Sequence, residues 1–273
     1  MKRTTAVRTW LVWSAVLCAA LGVGFAVAAQ TQPPASGAQS ARPPGSQLLN
    51  VTVVHIKPEL LTEWQEWQKS EVIPTLQKGG VKERSVWQTI VGEGFEYAML
   101  TPLENFAQRE GQGPIVKALG EQGAQAYGAK NRRFVASVRT FIIMTRPDLS
   151  YAPERKEPPT LGVLTISSIA PGRMTDYENH LKTDVLPMQK QAQAAGFLVS
   201  QTIFGGDGNE VISMSLVNTF ADLDKGPPAT RVLGAAGAAK LATKAAGIIA
   251  RSERILCRYD TNLSFKVGTS TAR

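Results

Sequence analysis

"QTIVG", Gln88–Gly92, and "QTIFG", Gln201–Gly205, are almost the same word, 113 residues apart. Their neighbours decide whether this is chance or duplication. At the same offset Pro58 meets Pro171, Thr62 meets Thr175, Trp64 meets Tyr177 and Lys69 meets Lys182. "EVIP" (Glu71–Pro74) meets "DVLP" (Asp184–Pro187). Beyond the glycines the second copy gains one residue. At an offset of 114, Glu96 then meets Glu210, Phe106-Ala107 meets Phe220-Ala221, and Gly120 meets Gly234. Lys130 meets Lys244, and Leu149-Ser150 meets Leu263-Ser264. A single one-residue shift across about a hundred positions marks an internal duplication.

Each copy reads in the same order. "LLNVTVVHI" and "LGVLTISSI" are rich in β-branched residues and predict first strands. Pro58 and Pro171 open helical segments over roughly 59–78 and 172–194. Trp64, Gln68 and Val72, like Tyr177, Leu181 and Val185, recur at i, i+4 and i+8 and form one buried stripe. Strands follow near 82–91 and 95–102, and near 197–204 and 210–217. "GEG" and "GGDGN" supply the hairpin turns between them. Helical stretches over 103–136 and 219–250 lead to the last strands, "SVRTFIIMT" and "SERILCRYD".

The order β-α-β-β-α-β, given twice, is the ferredoxin-like arrangement. Its strands are apolar on both faces: Val51 and Val53 point one way, Val54 and Ile56 the other. Helices cover one face, so the other needs a second sheet. The expected fold is therefore α+β: two βαββαβ repeats, 49–151 and 161–267, packed sheet to sheet as a single-chain α/β barrel. A linker, 152–160, joins them, and 268–273 form a C-terminal tail.

Residues 1–29 read as an export signal, with a basic start ("MKRTTAVR"), an apolar run from Trp10 to Val27, and small residues for cleavage after Ala28 or Ala29. An uncleaved run would be the only membrane attachment. Residues 30–48, rich in Pro, Ala, Ser and Gly, predict a flexible tether. The expected location is periplasmic or secreted. Cys18 falls in the signal, so the exported part keeps Cys257 alone; no internal disulfide and no cysteine zinc site follow. The formal charge is +8, of which Lys2, Arg3 and Arg8 contribute three. No basic run is interleaved with aromatics, so nucleic acid is not an expected partner. A small molecule is, and homo-oligomers stay open.

With its repeated order, aromatic first helix and late helical proline in "EVIP" and "DVLP", the chain resembles the dimeric α/β-barrel superfamily. That group includes NIPSNAP-like, EthD-like and antibiotic-biosynthesis-monooxygenase-like families. The resemblance implies one of several outcomes: cofactor-free oxygenases, haem-handling enzymes, isomerases, or no activity. Fold alone does not choose among them. The long segment before each last strand departs from the usual small unit.

Candidate residues lie where the copies differ. His55 faces Ser168 in the alignment, and His180 faces Trp67. Either histidine could be a general base or, given the resemblance, an axial ligand to haem iron; either could equally make a local hydrogen bond. Asp184, at i+4 from His180, could orient it or simply pair with it on a helix surface. Trp67, Glu71, Trp87 and Arg254 are candidate ligand contacts. Trp67 and Trp87 could be cavity wall or core. Glu71 could face a cavity or cap a helical turn. Arg254 could meet an anion or lie at an exposed strand end. No metal cluster, phosphate loop or nucleophile elbow appears, and no resident cofactor is expected. The leading expectation is an exported barrel that binds a small hydrophobic or aromatic ligand. The alternatives are a cofactor-free oxygenase or haem-associated enzyme, and a non-catalytic envelope scaffold.

Overall fold

The computed structural model describes residues 42–155 and 157–268. The expected export signal (1–29), residues 30–41 of the expected tether and residues 269–273 lie outside the described residues. Copy one contributes β1 (Leu48–Ile56), β2 (Glu83–Val91), β3 (Glu96–Leu103) and β4 (Val135–Thr145). Copy two contributes β5 (Leu161–Ile169), β6 (Phe197–Phe204), β7 (Glu210–Val217) and β8 (Ile249–Tyr259), and a short β9 (Phe265–Lys266) follows. The strand orders are β2-β3-β1-β4 and β6-β7-β5-β8, all antiparallel. Pairing of β4 with β6 and of β8 with β2 joins the two sheets edge to edge. Eight strands thus close into a barrel, and the faces expected to pack on each other become its lumen.

The seams are short. Only Ile142–Thr145 of β4 pair with β6, and only Leu256–Tyr259 of β8 pair with β2. The earlier residues of β4 and β8 are laddered on one side alone, to β1 and β5.

The helices lie outside. In copy one, α1 (Leu61–Trp67) and α2 (Ile73–Lys78) are separated by a π turn over Gln68–Val72. Copy two repeats this with α4 (Met174–His180), a π turn over Leu181–Val185 and α5 (Leu186–Gln191). The cause is the proline in "EVIP" and "DVLP". It lacks an N–H and its ring crowds the carbonyl four residues back, and the wider turn absorbs both defects. The predicted stripe holds, with Trp64, Gln68, Val72, Tyr177 and Leu181 buried and Val185 half-buried.

The later helices are shorter than the sequence suggests: α3 (Pro114–Phe134), then α6 (Phe220–Asp224) and α7 (Pro228–Ala245) in copy two. Prolines at the first turns of α3 and α7 set these starts. Gly120 and Gly234 interrupt α3 and α7 at φ 70° and 68°. No atom would obstruct a Cβ at either site, so conformation, not space, requires glycine.

The copies interlock through the segments after their last strands. Leu263, from the end of copy two, packs in copy one's helix–sheet core with Trp64, Trp67, Val86, Tyr97 and Phe134. Its counterpart Leu149, from the end of copy one, packs in copy two's core with Tyr177, Leu181, Phe197 and Val199. Beside them, the hydroxyls of Ser264 and Ser150 each accept a hydrogen bond from the other copy, from Val86 N and Val199 N, both at 2.9 Å. The repeated "Leu-Ser" therefore seals each core with the other copy's chain.

Candidate functional site

Strand pleating sets which side chains enter the lumen. At the end where β1 begins, a cavity of about 710 Å³ is lined by Leu49, Trp87, Leu100, Ile143, Leu164, Met214 and Tyr259, with Glu83, Ser85 and Ser200 as polar members. Linker residues Pro158 and Pro159 border it. Arg155 pins this linker by donating to Ala195 O and Asn218 Oδ1 at 2.6 and 2.7 Å. Trp87 is 7% exposed and meets Tyr259 edge-on at 5.2 Å.

The cavity follows from how the copies differ. In one lumen layer copy one places Leu49, Trp87, Leu100 and Ile143. The aligned residues of copy two are Gly162, Ser200, Met214 and Cys257. Three of the four are smaller than their counterparts, Met214 matches Leu100 in size, and Ser200 and Met214 are the two that line the cavity. A Cβ at Gly162 would lie 2.9 Å from Met214 Sδ and 3.1 Å from the Trp87 ring, so the indole occupies the room that glycine leaves. Cys257 is buried, and burial pushes its thiol up to about 11.

A second cavity, about 790 Å³, lies outside the barrel in copy two. It sits between the outer face of β5 and β8 and the α5–α7 region. Gln189, Thr165, Ser215, Arg231 and Arg254 are among its lining residues. Gln189 is 4% exposed, and its Oε1 has no hydrogen-bond partner among the described residues. A buried amide oxygen without a donor is costly unless a ligand or water supplies one. The aligned residue of copy one is Leu76. None of the residues of α7 is fully buried, whereas copy one fills the matching layer with Trp67, Tyr127 and Phe134 in ring contact.

The predicted site residues separate. Trp87 lines the lumen cavity and Arg254 the outer one. Trp67 lines neither: it is buried in copy one's core, its Nε1 donating to Glu71 Oε2 at 3.0 Å. Glu71 also accepts from Lys130 Nζ at 2.6 Å, so it ties the first helix to α3 and does not face a cavity. Copy two repeats the device: Asp184 meets His180 Nδ1 at 3.0 Å and accepts from Lys244 on α7. The lysines, then the ring N–H groups, hold both carboxylates below their usual range. His180 thus braces Asp184, and it is Asp184 that ties this helical segment to α7 outside the barrel. His55 is half-buried on the lumen side of β1, about 20 Å along the strand from Leu49. It stands opposite Glu96 and Ser137. Neither histidine lines either cavity.

Sequence reasoning missed Tyr259, Met214, Gly162 and Gln189. For three the signal was present: Tyr259, Gly162 and Gln189 align with Thr145, Leu49 and Leu76, which differ in size or polarity, whereas Met214 aligns with the similar Leu100. Comparison limited to histidines and charges passes over it. The threonines of the repeated word also have a structural role. Thr89 Oγ1 donates to Glu96 Oε1 at 3.1 Å, and Thr202 Oγ1 to Glu210 Oε1 at 3.0 Å, each inside its own hairpin.

The architecture is that of a ferredoxin-like α/β barrel in which both halves belong to one chain. No family model and no curated protein matches the sequence. Solved structures share the fold. A candidate monooxygenase from Fusobacterium nucleatum has a TM-score of 0.55 at 11% identity, over 78% of this chain and 91% of that one. An anthrone oxidase-like protein has a TM-score of 0.54 at 12% identity, over 82% and 94%. A candidate monooxygenase from Lactobacillus acidophilus has a TM-score of 0.52 at 8% identity, over 81% and 96%. At these identities the likeness concerns the fold.

Proposed function

We propose that the chain binds a small hydrophobic or aromatic molecule in the barrel lumen, against Trp87 and Tyr259. One observation carries this: Ser200 stands where copy one has Trp87, and it lines an apolar cavity of about 710 Å³ beside that indole. That volume lies in the ~300–1,000 Å³ range of small-molecule sites. Delivery outside the cytoplasm belongs to the same reading and rests on the composition of residues 1–29; the N-terminal mass of the purified protein checks it. Membership of a particular monooxygenase-like family is supported only by shared fold, so binding, not turnover, is the reading adopted.

The test uses 1-anilinonaphthalene-8-sulfonate as probe. Saturable fluorescence enhancement is expected, with an affinity at least tenfold weaker in Ser200→Trp, which rebuilds copy one's indole on the open side. A folded Ser200→Trp that binds the probe unchanged rules the lumen out.

A further inference from the structure

The free edge of β8 carries its own complement. Among the described residues, those before Leu256 on β8 have a strand partner only in β5. Ala250 is extra in the register between Ser168–Arg251 and Ile169–Ile249, so regular free edge begins at Arg251. Arg251, Ser252, Glu253 and Arg254 are all exposed. Arg251 and Glu253 project from the same face. They approach only to 3.7 Å within one chain, at 79% and 54% side-chain exposure. Unpaired backbone groups on such an edge accept another strand.

Two copies of one edge meeting about a two-fold axis must pair antiparallel, and a directly opposed pair must share parity along the strand. Few registers meet that rule. Centring on Arg251 or Arg254 opposes two arginines, and centring on Glu253 opposes two glutamates. Centring on Ser252 opposes Arg251 to the partner's Glu253 and Glu253 to the partner's Arg251. Like charges directly opposite are unfavourable and opposite charges favourable, so the edge selects the Ser252 register.

We infer that the chain self-associates through β8, antiparallel about Ser252, into a two-fold dimer that joins two barrels edge to edge. The matching edge of β4 lacks this property. Centred on Val138 it opposes Ser137 to Arg139. The Gly205 turn lies against its backbone, a Cβ there being 2.6 Å from Thr140 O, and Arg139 reaches Gly205 O, whereas the Gly92 turn meets β8 at the Ile255 side chain, beyond Arg254.

Sedimentation of the full chain across a concentration series tests the association. A monomer–dimer equilibrium is expected, weakened at least tenfold by Arg251→Glu or Glu253→Arg alone. The double exchange, Arg251→Glu with Glu253→Arg, restores it to within about threefold. Both positions are exposed, and circular dichroism verifies that each variant folds. Ser252→Cys should cross-link into a covalent dimer on oxidation, because self-opposed residues lie about 4.5–5.5 Å apart. Cysteine at 251 or 253 should not, because each lies one residue off the axis and so two residues in register from its own mate. A chain monomeric throughout, single exchanges without effect, a double exchange that fails to rescue, or growth into open polymers would each overturn the inference.

Discussion

Copy one and copy two share a skeleton down to a π turn, a kinked glycine and a sealing leucine, yet they enclose different amounts of space. Copy one is filled. Trp67, Tyr127 and Phe134 pack beneath its long helix, and Leu49, Trp87, Leu100 and Ile143 reach into the lumen. Copy two is thinned at both levels, with Gly162 and Ser200 in the lumen and an alanine- and glycine-rich α7 over an unsatisfied Gln189. Duplication conserved what the barrel needs to close and released one half to make room. Cavities lie where the copies stopped matching.

The largest effect should come from what the copies still share. Leu263 and Leu149 each fill the other copy's core at 1% exposure. Leu263→Ala or Leu149→Ala should cost about 2–5 kcal/mol, the range for a fully buried leucine. Because each leucine belongs in sequence to one copy and in space to the other, either variant should lower one shared thermal transition. Two separated transitions, one per copy, would break the picture of interlocked halves.

Next comes the lumen. Gly162→Leu restores copy one's residue in a place where Met214 and Trp87 already stand within about 3 Å of a Cβ. Overpacking of this kind costs about 1–3 kcal/mol. Denaturant titration should show that loss. Leu49→Gly, the reverse exchange, should enlarge the cavity and tighten probe binding at some expense of stability. A neutral Gly162→Leu would mean the layer is not shaped by these contacts.

Much of this was legible in the sequence. The offsets of 113 and 114 gave the repeat, the strand order and the apolar stripe, because periodicity and duplication are local properties of the chain. Edge-to-edge closure was not legible, since the pairing of β4 with β6 depends on contacts between copies. Leu263 illustrates the limit: the alignment with Leu149 is plain, but nothing local says that each crosses into the other's core. Site residues were harder still. Trp67 and Trp87 look alike in composition. One lies in the outer core and the other in the lumen because one sits on a helix under α3 and the other on a strand face.

A smaller effect, of opposite sign, is expected at Gln189. Gln189→Leu, which installs the residue found at the aligned Leu76, removes a buried oxygen that has no donor. Removing such a group should stabilise the chain by about 1 kcal/mol. Calorimetry without ligand measures it. Destabilisation would show that the amide is satisfied in solution, and would weaken the contrast between the copies.

The smallest effects belong to the paired ties, where the contrast can be sharpened by pH. Glu71 and Asp184 both have folded-state pKa values below their ordinary ones, first because of Lys130 and Lys244 respectively. A carboxylate depressed by folding contributes stability that is fully present above its unfolded pKa, near 4, and is lost as pH falls through the lower folded value. Removing the lysine should therefore leave less stability to lose on acidification. Lys130→Met and Lys244→Met should each cost no more than about 1 kcal/mol at neutral pH, as surface pairs do. They should also flatten the fall in stability below about pH 4. The two should differ in size. Asp184 is 20% exposed and Glu71 is 55%, whereas Lys244 is more exposed than Lys130, 62% against 40%, so the ranking reports whether burial of the carboxylate sets the strength. Urea titrations at pH 7 and pH 3 should then rank Lys244→Met above Lys130→Met at pH 7 and bring the two together at pH 3. A larger effect of Lys130→Met at neutral pH would mean that burial of the carboxylate does not set the strength of these ties.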